Sequence, residues 1–142
     1  MTAALQTQSA TQSATQSATQ SATQTIDDAL QAAVVCHRAG QLQQAEALYQ
    51  AVLQVQPSNP EANHNVGLLR VQAEQVEAGL PNFLAAIEAE PTVAQYWQSY
   101  IEALLLAGRG NDARVVFEHA RRHGLKGPGI DELATKLLTA PK

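Results

Sequence analysis

Three consecutive segments of the chain, residues 26–59, 60–93 and 94–127, fall on one another at a spacing of 34 without a gap. The matches are chemical. The small residues Ala45, Gly79 and Ala113 share a column, followed by the aromatics Tyr49, Phe83 and Phe117 and then by Val52, Ala86 and Ala120. Pro57 matches Pro91, and Gly40 matches Gly108. Upstream, Ala32, Val66 and Tyr100 align, as do Ala33 with Gly67, and Val35 with Leu69 and Ala103. A chain that repeats itself at this length builds one supersecondary unit several times and stacks the copies, because a single copy cannot bury its own apolar face.

The chemistry of each column dictates local structure. Within a unit, apolar residues recur three and four positions apart, as at Ala45, Leu48, Tyr49, Val52 and Leu53, which is the period of an amphipathic helix. Small residues at Ala45, Gly67, Gly79 and Ala113 let two antiparallel helices approach closely, and the aromatic one turn later fills the space beside them. Gly40 and Gly108 suit the left-handed residue that closes a first helix, whereas Pro57 and Pro91 stop a second one. These signals predict helix pairs at 26–38 with 42–55, 60–73 with 76–89, and 94–107 with 110–123. Gly124 reads as a C-cap and Lys126 to Gly129 as a turn. A last helix is expected over 130–139, since Asp131 and Glu132 at its start and Lys136 later agree with its dipole.

The order small, aromatic, small, proline at a 34-residue period resembles the tetratricopeptide repeat, a helix–turn–helix unit of solenoids. The resemblance covers residues 26–127 and implies an all-α fold, a right-handed α-solenoid of three helix pairs at 26–59, 60–93 and 94–127. Residues 128–142 then form a capping helix and C-terminal tail, because the last repeat would otherwise expose an apolar face. Four positions depart from the family pattern. Arg70 stands where a buried aromatic is common, so its stem is expected to pack while its charge reaches water. Ile101 fills a slot usually held small, which would widen its helix pair. Pro81 falls inside 76–89, so that helix either starts late, with Pro81 in its first turn, or kinks there. Leu125 replaces the terminal proline.

Thirteen acids against nine bases give a formal charge of −4, which argues against general nucleic-acid binding because that needs a basic stripe. Charged residues make up 15% of the chain, below the roughly 25% of ordinary domains. A single cysteine, Cys36, can form neither an internal disulfide nor a Cys-rich zinc site. No apolar run approaches the roughly 18 residues of a membrane span. From Thr7 the tetrapeptide TQSA is written four times, and residues 1–25 carry no charge and no aromatic. Such a stretch buries too little apolar area to offset roughly 1–2 kcal/mol of backbone entropy per residue. A disordered tail is expected, with a frayed helix as the alternative. The segment lacks the basic and apolar regions of a secretory signal, and its first basic residue, Arg38, comes too late for a mitochondrial presequence. A cytoplasmic protein is expected.

Catalysis finds no foothold. His119 and His123 are four apart on one helix, a spacing open to a metal. No acid or cysteine follows at ligand spacing, so solvated histidines are expected there, and no metal or cofactor. Asp27 with Asp28, and Asp131 with Glu132, read as helix-start acids rather than catalytic pairs. There is no glycine-rich phosphate loop, no GxSxG elbow, and no Ser, His and Asp set at recognisable spacing. Cys36 faces a neighbouring helix and is expected to be buried and inert. Tyr96 and Trp97 offer a stacking surface, yet Trp97 sits in a column that is core in the resembled family. The expectation is a chain that is not an enzyme.

What the resemblance leaves is a surface. In tetratricopeptide solenoids the first helix of each pair lines the concave face, which takes an extended or helical peptide. By column, this face carries Leu30, Val34, His37 and Arg38, then Glu61, His64, Asn65, Leu68 and Val71. It continues with Gln95, Gln98, Ser99, Glu102, Leu105 and Leu106. Val34, Leu68, Val71 and Leu105 form an apolar centre with polar flanks, fitting a protein partner. The other reading of these apolar residues is packing between adjacent first helices. Chaperone-binding members of the family hold a C-terminal carboxylate with two Lys, two Asn and an Arg. The equivalent slots here are Leu30, Val34, Asn65, Gln95 and Ser99, of which only Asn65 matches, so no cation is left for the carboxylate.

Charge is unevenly spread. Residues 26–107 hold nine acids and two bases, a net of −7, and residues 108–142 hold four acids and seven bases, a net of +3. Such a dipole suits head-to-tail self-association or an acidic partner, and equally a solvated helix face. A second resemblance rests on YWQSYIEALLLAGRGNDARVVFEHARRHGLKG, which looks like the last repeat of helical modules found ahead of bacterial glycosyltransferases and sulfotransferases. It implies an accessory, substrate-recruiting or truncated module whose chemistry is supplied in trans.

Overall fold

The computed structural model describes residues 24–140, which form seven helices and no strand. Helix α1 is helical over 24–38, followed by α2 (Leu42–Val55), α3 (Pro60–Gln72), α4 (Val76–Ala89), α5 (Ala94–Leu106), α6 (Gly110–Arg122) and α7 (Pro128–Thr139). The chain is an all-α helical-repeat solenoid. The tail expectation falls on residues 1–25, of which 1–23 lie outside the described residues and 24 and 25 already belong to α1. Helix α7 opens at Pro128, two residues before the expected start at 130, because proline at the first helical position forgoes only an N–H that would be unpaired there.

The turn inside each pair is the same object three times. The N–H of Gln41 donates to the Cys36 carbonyl at 2.9 Å, that of Gln75 to Arg70 at 2.7 Å, and that of Arg109 to Leu104 at 2.8 Å. The residue before each donor is left-handed: Gly40 at φ 78°, Glu74 at φ 61° and Gly108 at φ 75°. This is the glycine-favoured helix stop, imposed on a glutamate in the middle unit. The turn between pairs repeats as well. Asn63 donates its side-chain amide to the Pro57 carbonyl at 3.1 Å, and Trp97, in the same column one unit on, donates its indole N–H to Pro91 at 2.8 Å. Asn59 caps α3 by accepting from the Ala62 N–H at 2.8 Å. Trp97 is buried core rather than a stacking surface.

Close approach within a pair depends on missing side chains. A Cβ on Gly67 would stand 2.7 Å from the Phe83 ring, and one on Gly79 would stand 3.0 Å from the Gly67 carbonyl oxygen. Around this contact the apolar interior divides. One cluster joins α1, α2 and α3 through Leu30, Ala33, Ala45, Tyr49, Val52, Val66 and Leu69. A second joins α4 to α7 through Phe83, Ile101, Leu104, Phe117, Leu133 and Leu137. An Asn82 to Asn63 hydrogen bond of 3.1 Å crosses from α4 to α3, and an Arg70–Glu46 ion pair of 3.3 Å ties α3 back to α2.

The departures resolve individually. Arg70 is half-buried with its charge on Glu46, as its snorkelling stem requires, although its Nε is buried without a partner among the described residues. Ile101 is wholly buried. Helix α4 begins at Val76 and continues through Pro81, so the late-start alternative is not the one adopted. Pro81 there removes the N–H that would bond to the Glu77 carbonyl. Cys36 is half-buried rather than buried, with its sulfur 3.9 Å from Gln44 Oε1.

Candidate functional site

The first helices α1, α3, α5 and α7 carry most of the residues with binding chemistry, and side chains bridge them in sequence. His37 Nε2 lies 2.7 Å from Gln72 Oε1, linking α1 to α3, and His64 Nε2 lies 2.8 Å from Ser99 Oγ, linking α3 to α5. Lys136 donates to Glu102 at 3.3 Å, linking α7 to α5. Each rung spans about one repeat in sequence, so the 34-residue period that stacks the helices also brings these partners together.

The expected groove residues do not share one environment. Leu30 and His64 are taken into the packing, 6% and 5% exposed, and neither presents a surface. Val34, His37, Asn65, Leu68, Val71, Gln98, Ser99, Glu102 and Leu105 are half-buried, while Arg38, Glu61, Gln95 and Leu106 are exposed. Leu68, Val71 and Leu105 also pack against the second apolar cluster. They therefore show one edge outward and one inward.

His64 is buried on this face among aromatic rings. Its ring meets Phe83 edge-on at 5.8 Å and lies tilted against Tyr96 at 4.8 Å. Burial pushes its pKa below the ordinary imidazole value, with a hydrogen bond to Asn65 opposing the shift. Burial likewise raises Tyr49, aided by Glu61, and raises Tyr96, aided by Glu90 and Glu61. A neutral imidazole wedged between aromatic rings is a packing element that can also donate or accept one hydrogen bond.

His119 and His123 are both exposed, and the His123 Nδ1 lies 2.8 Å from the His119 carbonyl oxygen. The His123 ring also rests against Trp97 at 5.2 Å. Among the described residues no three of His, Cys, Asp or Glu come together in a way that could hold a metal, and no helix is long and apolar enough to cross a membrane.

Neither a scan against protein-family models nor a search of curated proteins finds a match. Solved structures do match. A mutant O-GlcNAc transferase of Thermobaculum terrenum is 26% identical over 67% of this chain, with a TM-score of 0.62. This chain spans only 18% of that transferase. The Yersinia enterocolitica type III secretion translocator chaperone SycD is 16% identical over 82% of this chain and 81% of its own, with a TM-score of 0.69. SycD in complex with a peptide of the translocator YopD is 16% identical over 81% of this chain and 88% of its own, with a TM-score of 0.68. At 16% identity the likeness to SycD is one of fold.

The fold is a tetratricopeptide-like helical repeat.

On this tetratricopeptide-like frame the rungs His37–Gln72, His64–Ser99 and Glu102–Lys136 went unread in the sequence. The signal was present. A polar residue on one first helix and a second one about a repeat later stand side by side wherever first helices touch, and the period already supplied the offset.

Proposed function

We propose that the chain is a protein-interaction module that binds a peptide or protein segment along its first-helix face and has no catalytic activity of its own. We also infer that its units are the three repeats 26–59, 60–93 and 94–127, with 128–142 as cap and tail. The observation that carries the binding reading is the row of half-exposed apolar residues, Val34, Leu68, Val71 and Leu105, flanked by exposed Arg38 and Gln95. Apolar edges beside polar rungs match the make-up of interface centres and rims. The complex of SycD with a translocator peptide, a neighbour in fold, supports a peptide as the class of partner. Within the face, Asn65, Gln98 and Ser99 supply the polar contacts, and His64 acts from beneath by holding Ser99.

A displayed peptide library selected against the full chain tests this. Selected peptides lose binding in the double variant Leu68→Glu with Leu105→Glu, and lose part of it in Gln95→Ala, whose exposed side chain leaves folding untouched. Circular dichroism accompanies both, because Leu68 and Leu105 also touch the core. Peptides that bind both folded variants as well as the parent defeat the reading.

A second reading follows from the transferase match. The chain then recruits a protein substrate for a sugar-transferring enzyme supplied in trans. Co-purification with such a catalytic domain, and faster glycosylation of a protein acceptor when the chain is added, support it. Donor hydrolysis by the purified chain alone, abolished by a single polar substitution, sinks both readings.

A further inference from the structure

On the side away from the first-helix face, a groove of about 240 Å³ runs between α4 and α6 over α5. Leu84 of α4 and Val115 of α6 stand on its two sides, 40% and 58% exposed, and Ile87, Trp97 and Val116 lie deeper. Its chemistry is particular to this step of the array. Thirty-four residues earlier, around α3, Gln50 and Pro81 stand for Leu84 and Val115, and the hydrogen-bonded Asn63 and Asn82 stand for Trp97 and Val116. Both steps lie between described helices, so neither owes its character to an end of the chain. The volume falls below the roughly 300–1,000 Å³ of small-molecule sites, which suits the side chains of another protein surface.

Charge bounds this apolar strip at both ends. At one end the Glu77–Arg109 and Arg109–Asp112 ion pairs close it. At the other stand Glu88, one turn past Leu84 on α4, and Arg122, about one turn past His119 on α6. Both are exposed, and neither has an ion-pair partner among the described residues. Every other Asp, Glu and Arg of these two helices has a polar partner. Glu77, Asp112, Glu118 and Arg121 are in ion pairs, and Arg114 donates to the carbonyls of Leu137 and Ala140.

The two unpaired charges name what fits the groove. Glu88 and Arg122 share a column of the repeat, so they stand at the same height on two parallel helices. A two-fold axis along the groove keeps those helices parallel and carries α4 of one copy over α6 of the other. Glu88 of each copy then meets Arg122 of the other, so the ion pair forms twice, as a self-complementary patch requires. Leu84 of each copy falls on the turn of α6 that carries Val115 and His119 in the other. An apolar centre between charged ends is the ordinary anatomy of an interface.

We propose that the groove between α4 and α6 is a two-fold interface at which two copies of this chain pair, through Leu84, Val115 and reciprocal Glu88–Arg122 ion pairs. The first-helix face stays free in each copy, so one dimer presents two of them.

Sedimentation equilibrium of the full chain across concentration tests this, and a single monomer–dimer equilibrium is expected. Val115→Glu, Glu88→Arg and Arg122→Glu each weaken it at least about tenfold, the last two because like charges then oppose each other twice. Helicity is unchanged in all three, since the side chains are exposed. Mixing the Glu88→Arg chain with the Arg122→Glu chain restores a heterodimer of parent strength, because Arg then faces Glu at both places. Gln95→Ala, on the first-helix face, leaves dimerisation unchanged. A chain that stays monomeric up to about 1 mM overturns the proposal, as does association indifferent to the three variants or not restored by mixing. Growth past the dimer overturns it too, because a two-fold contact closes on itself. Dimerisation that appears only after removal of residues 1–23 makes that segment the occupant of the groove, and likewise overturns it.

Discussion

Glu74 holds a left-handed backbone at φ 61°, where the flanking units place Gly40 and Gly108. An L-residue there costs roughly 1–2 kcal/mol, and glycine returns part of the gain through the entropy of the unfolded chain. Glu74→Gly therefore raises stability by about 0.5–1 kcal/mol, read from the urea midpoint, and a lowered midpoint would mean the glutamate makes a contact worth more than its strain. His64 gives a pH signature. Its pKa is depressed in the folded state, so its contribution is fully present above the unfolded value of about 6.5 and is lost as pH falls from there through the folded value. Between about pH 7.5 and about pH 5.5 the parent loses more stability than His64→Gln does, and equal losses in a pair of denaturant titrations would remove His64 as the cause. The sequence announced the turns at Gly40 and Gly108 but not at Glu74, because the bond from the Gln75 N–H to the Arg70 carbonyl closes the turn whatever residue stands at 74. The burial of His64 was hidden for a related reason: Phe83, Tyr96 and Ser99, which enclose it, belong to later helices.

Among elements, the α3–α4 pair is set by two absent side chains. Gly79→Leu puts its first carbon 3.0 Å from the Gly67 carbonyl oxygen and 3.3 Å from Arg70 Cβ, where backbone cannot yield cheaply. A loss of about 1–3 kcal/mol or more is expected from overpacking, measured by thermal or urea unfolding, and an unchanged midpoint would mean the two helices slide apart freely. Helix positions were the most legible part of the chain, since the period placed every pair and glycine or proline stops marked most boundaries, the end of α3 at Glu74 excepted. What periodicity did not separate was inside from outside on the first helices. Leu68 and Leu105 belong to the column pattern of an exposed face and to a core cluster together, because neighbouring first helices lean on one another through the edges of the same side chains. Pro81 was legible as a fault and not as its outcome, since tertiary packing carries α4 past one missing hydrogen bond.

Across the whole molecule, the α1–α3 cluster meets the α4–α7 cluster at one interface, where Leu68 and Val71 of α3 pack against the second. In a stack where each unit touches only its neighbours, damage spreads by one interface at a time. Tyr49→Ala, which empties the centre of the first cluster, costs about 3–5 kcal/mol. Hydrogen exchange should show α1 and α2 losing protection while α5 and α7 keep theirs, and uniform loss along the chain would mean the two clusters unfold as one. Carried along by 34, Glu46, Gln50 and Leu53 of α2 become Leu80, Leu84 and Ile87 of α4, and then Arg114, Glu118 and Arg121 of α6. The step in the backbone repeats like courses of brick, while the mortar changes at every course from mixed to greasy to charged, so what one joint tolerates is no guide to the next.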